Sequence, residues 1–280
     1  MNMNSSIPMV SIQMITYNHE KYISEAIEGV LKQRADFKFE LVIGEDCSTD
    51  NTKIIVKEYC KKYPNTIRVV PSEKNIGMTA NGIKTLKACS GKYIAICEGD
   101  DYWNDPLKLQ KQIDMLESNH KLSLCFHNVN TIFEDNKSSI IPVVKREIKS
   151  GIYSIKAVIM NKPRIATSSM VFVNSHINPL PEWFQEVRAG EKAIQLIVAS
   201  WGDIAYLSDT MSVYRNHSDG ISNNDSHFDR LWIYHKLFKL FNKYTKYKYL
   251  HLTSIRLLIL VLSIIKGIMI SRMQKYKSIK

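Results

Sequence analysis

The sequence predicts an α/β fold, a mainly parallel, Rossmann-like sheet flanked by helices, followed by a basic amphipathic helical tail. Three observations predict it. Strand-like and helix-like periodicities alternate four times between Met9 and Cys97 with short links, the pattern of a parallel sheet covered by helices. The apolar run Tyr93-Ile94-Ala95-Ile96-Cys97 reads as a strand buried on both faces and breaks abruptly into charge at Glu98-Gly99-Asp100-Asp101. Finally, charge is partitioned: from Arg230 to Lys280 there are twelve basic residues and no acidic one, leaving 26 basic against 27 acidic before it.

The first strand is expected over Met9–Thr16. A helix follows over His19–Gln33, where Ile23, Ala26, Ile27, Val30 and Leu31 recur at helical spacing. Phe39–Gly44 is a second strand ending in Glu45-Asp46. Ser48-Thr49-Asp50 caps a helix running to Tyr63, Ile67–Val70 is a short strand, Met78–Ala88 is helical, and Lys92–Cys97 delivers the acidic cluster. Asp105 caps a helix opened by Pro106. Further on, Leu122–Phe133 and Ala166–Asn174 read as strands, Ser138–Lys149 as a loop, and Pro179–Trp183 as a proline-punctuated link. Gly190–Ser200 is helical, and Tyr206–Leu207 and Met211–Tyr214 are short strands before a Ser218-Asp219-Gly220 turn that suits a mobile loop.

At 280 residues and 45% hydrophobic, the chain holds one large domain plus an appendage. Its five cysteines include no C-x-x-C pair, which argues against a disulfide framework or structural zinc and for a reducing compartment. Met1–Pro8 lacks the basic start and apolar stretch of a secretory signal. The composition change near residue 225 sets the expected boundary between a catalytic domain, 1–225, and a helical region, 226–280.

Ligands of open α/β sheets bind beyond the carboxyl ends of the strands. Here those ends carry Thr16-Tyr17-Asn18, Glu45-Asp46 and Glu98 to Asp101. Carboxylates crowded at one strand end repel each other. A divalent cation bearing a nucleotide diphosphate answers that repulsion, since hard cations take one or two carboxylates plus phosphate oxygens. An acidic strand-to-helix connection accounts for Asp105 but leaves Asp100 and Asp101 unexplained. Neither G-x-G-x-x-G nor G-x-x-x-x-G-K-[ST] is present, which argues against a dinucleotide-dependent dehydrogenase and a P-loop NTPase.

The motif order resembles glycosyltransferase family 2, inverting enzymes of the A-type fold that use nucleotide sugars. The resembling residues are Val10-Ser11-Ile12 to Thr16-Tyr17-Asn18, Glu45-Asp46-Cys47-Ser48-Thr49-Asp50, Asn75-Ile76-Gly77 with Asn81, and Gly91-Lys92-Tyr93-Ile94. They continue with Glu98-Gly99-Asp100-Asp101-Tyr102-Trp103, Gly190-Glu191 and Tyr214-Arg215-Asn216-His217. The resemblance implies that Thr16 and Tyr17 pack against nucleobase and ribose, and that Asp46 accepts a hydrogen bond from the uracil imide. It places Asn81 near the pyrophosphate, Glu98 at the outer acidic position, and Asp100 and Asp101 on metal and diphosphate. A local cap for Asn81 and an approach acid sharing the cap with Ser48 for Asp46 are the bland alternatives. Glu191 resembles the base that deprotonates the acceptor, with Glu186 or Asp203 as substitutes; an acid at a helix N-terminus is also favoured by the macrodipole alone. Arg215 is expected on the diphosphate and His217 on the metal, against a solvated turn after a strand. Trp103 is either a stacking surface or core.

In the tail, Lys236, Lys239, Lys243 and Lys246 fall within about 80° on a helical projection, opposite Ile233, Leu237, Leu240, Phe241 and Tyr244. Leu257–Ile265 is continuously apolar between Arg256 and Lys266, and a nine-residue helix rises only about 14 Å, too little to span a bilayer. An interfacial helix with cations toward anionic headgroups fits better than nucleic acid, while packing on the catalytic domain or in a homo-oligomer is the alternative. The resulting expectation is a transferase that depends on Mn²⁺ or Mg²⁺ and is peripherally attached to the cytoplasmic face of the plasma membrane. It would move a hexosyl or N-acetylhexosaminyl group from a UDP-type donor to a glycan or lipid-linked acceptor in bacterial surface-polysaccharide synthesis. A nucleotidyltransferase or a catalytically dead membrane-binding module are the rivals. The first would bring a glycine-rich basic loop that Tyr17-Asn18-His19-Glu20 does not supply, and the intact Asp100-Asp101 pair speaks against the second.

Overall fold

The computed structural model describes residues 7–133, 141–142, 150–217 and 226–277. Strand and helix alternate as the periodicity predicts: β1 (Val10–Thr16), α1 (Ile23–Leu31), β2 (Phe39–Glu45), α2 (Thr52–Lys62), β3 (Ile67–Pro71), α3 (Met78–Ala88) and β4 (Tyr93–Ile96). There follow β5 (Tyr102–Trp103), α4 (Lys108–Ser118), β6 (Leu122–Phe133), β7 (Ile141–Pro142), β8 (Gly151–Tyr153), α5 (Ile155–Met160) and β9 (Val171–Val173). The order ends with α6 (Gly190–Ala199), β10 (Asp203–Asn216), α7 (His227–Tyr244) and α8 (Leu250–Lys277). The sheet order is β3-β2-β1-β4-β9-β6-β10-β5, with β7 on β6 and β8 on β10. Pairing is parallel among β3, β2, β1 and β4 and between β6 and β10, and antiparallel where β5, β7, β8 and β9 join, so the sheet is mixed.

Alternation along the central strands builds two cores, one per face. Val10, Ile12 and Met14 of β1 with Tyr93 and Ala95 of β4 face α1, α2 and α4. Ile94 and Ile96 with Leu124 and Phe126 of β6 face α3, α5, α6 and α7. All these side chains are essentially solvent-free.

The structure departs from expectation where local pattern is weak. Helix α1 begins at Ile23 rather than His19, because the backbone from Asn18 to Glu20 bonds to the loop after β2 instead of entering a helix. The Ala166–Asn174 strand contracts to three residues between 3₁₀ turns at Thr167–Ser169 and Asn174–His176; Trp103 Nε1 and Gln112 Nε2 donate to the Ser168 and Ser169 carbonyls and hold the first turn. The two short strands near residues 206 and 211 are one strand, β10, whose register against β6 shifts around Thr210, a bulge that absorbs the polar Ser208-Asp209 pair. The expected Ser138–Lys149 loop, apart from Ile141–Pro142 on β6, and the Ser218-Asp219-Gly220 turn lie outside the described residues.

Helix α7 starts with a capping box, in which Ser226 Oγ accepts the Asp229 N–H at 3.1 Å and the Asp229 carboxylate accepts the Ser226 N–H at 3.0 Å. Its Leu237, Phe238 and Phe241 are buried in the same core as α6, so the composition change near residue 225 is not a packing boundary. Lys236, Lys239 and Lys243 stay exposed on the opposite side, with Lys246 beyond the helix end. The apolar stretch after Arg256 is not a nine-residue helix. It belongs to the 28-residue α8, whose window Leu250–Gly267 is long and apolar enough to cross a membrane, with mean hydropathy 1.7 and 6% of it buried. Length therefore does not exclude a crossing. The first turns of α8 are docked on the protein: Thr253 is buried and its Oγ1 accepts from Asn242 Nδ2 at 2.9 Å.

Candidate active site

The carboxyl ends of β1, β2 and β4 meet at one edge of the sheet, because β1 pairs with β2 on one side and β4 on the other. The loops after β1 and β2 are stitched together: Asn18 Oδ1 accepts the Thr49 N–H at 2.9 Å, Ser48 Oγ accepts the Asn18 N–H at 3.1 Å, and Thr52 Oγ1 accepts the His19 N–H at 2.8 Å. Asn18 and Cys47 hold this edge in left-handed backbone, at φ 55° and 57°, a conformation that asparagine tolerates through local hydrogen bonds. Tyr17 stands at the rim, 39% exposed, while Thr16 is buried and its Oγ1 lacks a partner. Both oxygens of Asp46 accept backbone N–H groups, from Ile76 and Gly77 at 2.9 Å each, so this buried acid clamps the loop leading into α3. The cap on Ser48 belongs to Glu45 Oε1, at 2.6 Å, and not to Asp46. Asn81 is neither a cap nor open to the edge: it is buried, and its Nδ2 donates to the Gly44 carbonyl at 2.8 Å, seating α3 on β2.

The acidic turn is built tightly. The Gly99 N–H bonds to the Ile15 carbonyl, and a Cβ on Gly99 would meet Thr16 Oγ1 at 2.8 Å and His19 Nδ1 at 3.0 Å, so only glycine lets the turn sit this close to β1. Asp101 is 1% exposed; its Oδ1 accepts the Arg215 N–H at 3.0 Å, and its Oδ2 is buried without a hydrogen-bond partner among the described residues, while the nearby Ser168 hydroxyl and Arg215 favour its charged form. Burial, then the neighbouring Asp100 charge, pushes the Asp101 carboxyl up to about 8. Burial and the Asp100, Asp101 and Glu191 charges raise Glu98 well above the usual carboxylate range. Asp100 goes the other way: burial would raise it, but the hydrogen bond with His217 and the charge of His19 outweigh that and lower it. His217 Nε2 lies 3.1 Å and His19 Nε2 3.9 Å from Asp100 Oδ2. Burial lowers the His19 pKa, opposed by Asp100.

Arg215 is turned toward this turn. Its Nη1 donates to the Asp100 carbonyl at 3.1 Å, its Nη2 pairs with Glu25, and its guanidinium stacks on Tyr102 and Tyr22 at 4.6 and 5.3 Å. His19, Tyr22 and Glu25 escape sequence reasoning because each reads as ordinary helix or loop polarity, and Tyr102, though part of the acidic motif, carries no role there; only the closeness of His19 to Thr16-Tyr17 hints at a role. Trp103 is core: 3% exposed, with Nε1 on the Ser168 carbonyl at 3.1 Å and the Lys108 ammonium 3.9 Å from its ring centroid.

Glu191 opens α6 and faces Glu98 across a cavity of about 70 Å³ whose walls include Ile15, Phe184, Arg188 and Ile194. Drug-sized ligands fill roughly 300–1,000 Å³, so this half-open hollow is large enough for only part of a nucleotide sugar. Glu191 keeps contact with solvent, but crowding by the cleft walls raises its pKa, against its own N–H, Lys192 and Arg164. The substitutes for the base are elsewhere. Glu186 pairs with Lys236 at 3.9 Å, and Asp203 starts β10 beside Leu122 at the opposite, amino edge of the sheet.

The residues suit a hard divalent cation in one respect: Asp101 Oδ2 is a buried oxygen, without a hydrogen-bond partner among the described residues, beside like charges that a proton or a cation would relieve. Among the described residues no three His, Cys, Asp or Glu side chains are arranged to hold a metal by themselves. Asp100 and Asp101 would thus share the ion with phosphate oxygens, with His217 bonded to Asp100.

The family model for glycosyl transferase family 2 matches residues 11–186. An uncharacterised Mycobacterium tuberculosis protein is 39% identical over 221 residues, 76% of this chain and 60% of that protein. The Escherichia coli enzyme WfgD, a UDP-Glc:α-D-GlcNAc-diphosphoundecaprenol β-1,3-glucosyltransferase, is 35% identical over 133 residues, 48% of this chain and 49% of its own length. The chain thus spans at most about three fifths of these relatives. Among solved structures, Staphylococcus aureus TarS with UDP-GlcNAc superposes at TM-score 0.61 and 20% identity, covering 81% of this chain and 66% of TarS. The Pyrobaculum calidifontis mannosyltransferase with GDP-Man and Mn²⁺ gives 0.60 and 16%, covering 84% and 64%. These two establish the shared A-type fold, and with the sequence match over most of the catalytic region the chain belongs to glycosyltransferase family 2.

Proposed function

We propose that the chain is a metal-dependent inverting glycosyltransferase that moves a sugar from a nucleotide diphosphate donor, UDP-linked, to a hydroxyl of a glycan or lipid-linked acceptor in bacterial surface-polysaccharide synthesis. The observation that carries this reading is the acidic turn itself: Asp101 Oδ2 is buried without a hydrogen-bond partner among the described residues, and Glu98 of the same turn lines a cleft together with Glu191. The nucleoside would lie over Tyr17 and the loop clamped by Asp46, whose carboxylate keeps acceptor capacity beyond its two backbone bonds. Mn²⁺ or Mg²⁺, held by Asp100 and Asp101, would offset charge on the departing diphosphate. Glu191 takes the proton of the acceptor hydroxyl as that oxygen attacks the anomeric carbon and the bond to the diphosphate oxygen breaks. Its raised pKa makes it a stronger base than an ordinary glutamate. Arg215, tied to Glu25 and the Asp100 carbonyl, positions the acidic turn and is a weaker fit to the diphosphate itself.

Helix α8 supports membrane attachment at a cytoplasmic face. Its start is docked, and the exposed apolar part from Leu258 to Ile270 rises only about 20 Å, short of a bilayer core of about 30 Å. It would rest within one leaflet, with the α7 lysines toward anionic headgroups. The test of the reaction is the product: incubation with a panel of UDP-linked sugars and proton NMR of the anomeric signal. Inverted anomeric configuration in product or hydrolysate supports the reading, and turnover with retention, or none with any UDP-sugar, opposes it.

A further inference from the structure

Beside Glu191, three cations gather where α8 packs on α5, with Glu191 as the acid that opposes their charge. Lys192 is 5% exposed, and among the described residues its ammonium is held by two amide oxygens, Asn161 Oδ1 at 3.2 Å and Gln195 Oε1 at 3.1 Å. Arg256 reaches in from α8, which packs on α5, and its Nε–H is buried with no hydrogen-bond partner. Arg164 comes from the loop after α5 and is exposed. Among the described residues none of the three is in a salt bridge. They are nonetheless close enough that burial, then Arg256, brings the Lys192 ammonium down to about 7, with Glu191 opposing, and that Tyr234 of α7 feels Arg256, Glu191, Arg164 and Arg230 together. Like charges gathered in a partly dry junction are costly unless an anion completes them.

Resting on the proposed transfer reaction, we infer that Arg164, Lys192 and Arg256 form an acceptor-side site for a phosphate ester carried on an apolar chain. The donor diphosphate belongs to the strand-end acids in that reading, so a second anion site beside the base fits an acceptor that brings its own phosphate. The exposed apolar flank of α8, Leu258, Ile259, Leu262 and Ile265, leads away from Arg256 and suits the chain attached to that phosphate. The acceptor is thereby a short glycan on a lipid phosphate or diphosphate, its hydroxyl held near Glu191 while its phosphate sits among the cations.

The test uses the full chain in phosphatidylcholine nanodiscs, with geranyl diphosphate, geraniol and inorganic pyrophosphate as probes, and UDP with Mn²⁺ titrated separately. Arg164→Gln with Arg256→Gln should weaken geranyl diphosphate at least tenfold and leave UDP affinity within twofold, with geraniol binding neither form. Arg256→Lys, which keeps the charge, should restore most of the affinity and guards against a folding defect. Equal binding of geranyl diphosphate by wild type and the double variant overturns the inference. So does a loss seen only for phosphatidylglycerol vesicles, which would make the cluster a bilayer-headgroup contact. If UDP fails to bind wild type while geranyl diphosphate still discriminates, the donor assignment falls and the phosphate site stands.

Discussion

Asp101→Asn should make the metal-free protein more stable while destroying its activity. The Asp101 carboxyl is held at about 8 in the fold against 3.8 when exposed. A folded-state value above the unfolded one means that the native state binds the proton more tightly, so its contribution is intact below about 4 and is lost as pH rises from there through 8. Four pH units at about 1.4 kcal/mol each give about 6 kcal/mol as an upper bound, and sharing of the charge with Asp100 reduces this to about 2–3 kcal/mol by pH 8. Asparagine is isosteric and neutral, and its Oδ1 can still accept the Arg215 N–H. Thermal unfolding in EDTA from pH 5 to 8 should therefore show the variant gaining on wild type steadily, reaching roughly 5–10 °C at pH 8. A variant that melts at or below wild type at pH 8, or a gap that does not widen with pH, would refute the view that Asp101 is an electrostatically frustrated acid awaiting a cation.

Other consequences follow from the same geometry. Glu191→Gln should leave UDP affinity unchanged while lowering transfer roughly a hundred- to ten-thousand-fold, and the wild-type rate should fall with acid at a pH above the ordinary glutamate value, since crowding raises this carboxyl. Lys108 is fully buried and brought down to about 7, so its charge opposes folding increasingly as pH falls from 10.5 toward 7; Lys108→Met should gain about 1–2 kcal/mol at pH 7 in chemical denaturation, after loss of the Gln112 hydrogen bond and the Trp103 contact. Glu25→Gln, which frees Arg215 from its partner, should weaken Mn²⁺-dependent UDP binding about tenfold with little change in circular dichroism. A chain ending at residue 257 should stay folded but no longer co-sediment with phosphatidylglycerol liposomes, whereas ending at 226 would remove Leu237, Phe238 and Phe241 from the core and unfold it.

The strands of the first half were legible because each is a compact apolar run between polar links, and the acidic turn because several carboxylates crowd the end of one buried strand. What escaped was set by tertiary pairing. Three residues of β8 gain their conformation from β10, and six residues of α5 are too few to show a period. The roles of Asp46, Asn81 and Arg215 depend on partners roughly 30 to over 100 residues away, which no local pattern encodes. His19 illustrates the same limit: its place beside Asp100 follows from the pairing of β1 with β4. The tail misled in another way. Its basic composition suggested a separate unit, whereas one face of α7 completes the core and only the far part of α8 is left apolar and uncovered.

The central claim is that the strand-end acids grip a cation that carries the donor diphosphate. Isothermal titration of UDP into wild type, Asp101→Asn and Glu191→Gln, each with Mn²⁺ and with EDTA, tests it most directly. Binding that requires Mn²⁺, survives in Glu191→Gln and vanishes in Asp101→Asn is the predicted result. UDP binding that is indifferent to Mn²⁺, or equal in Asp101→Asn and wild type, would contradict the claim.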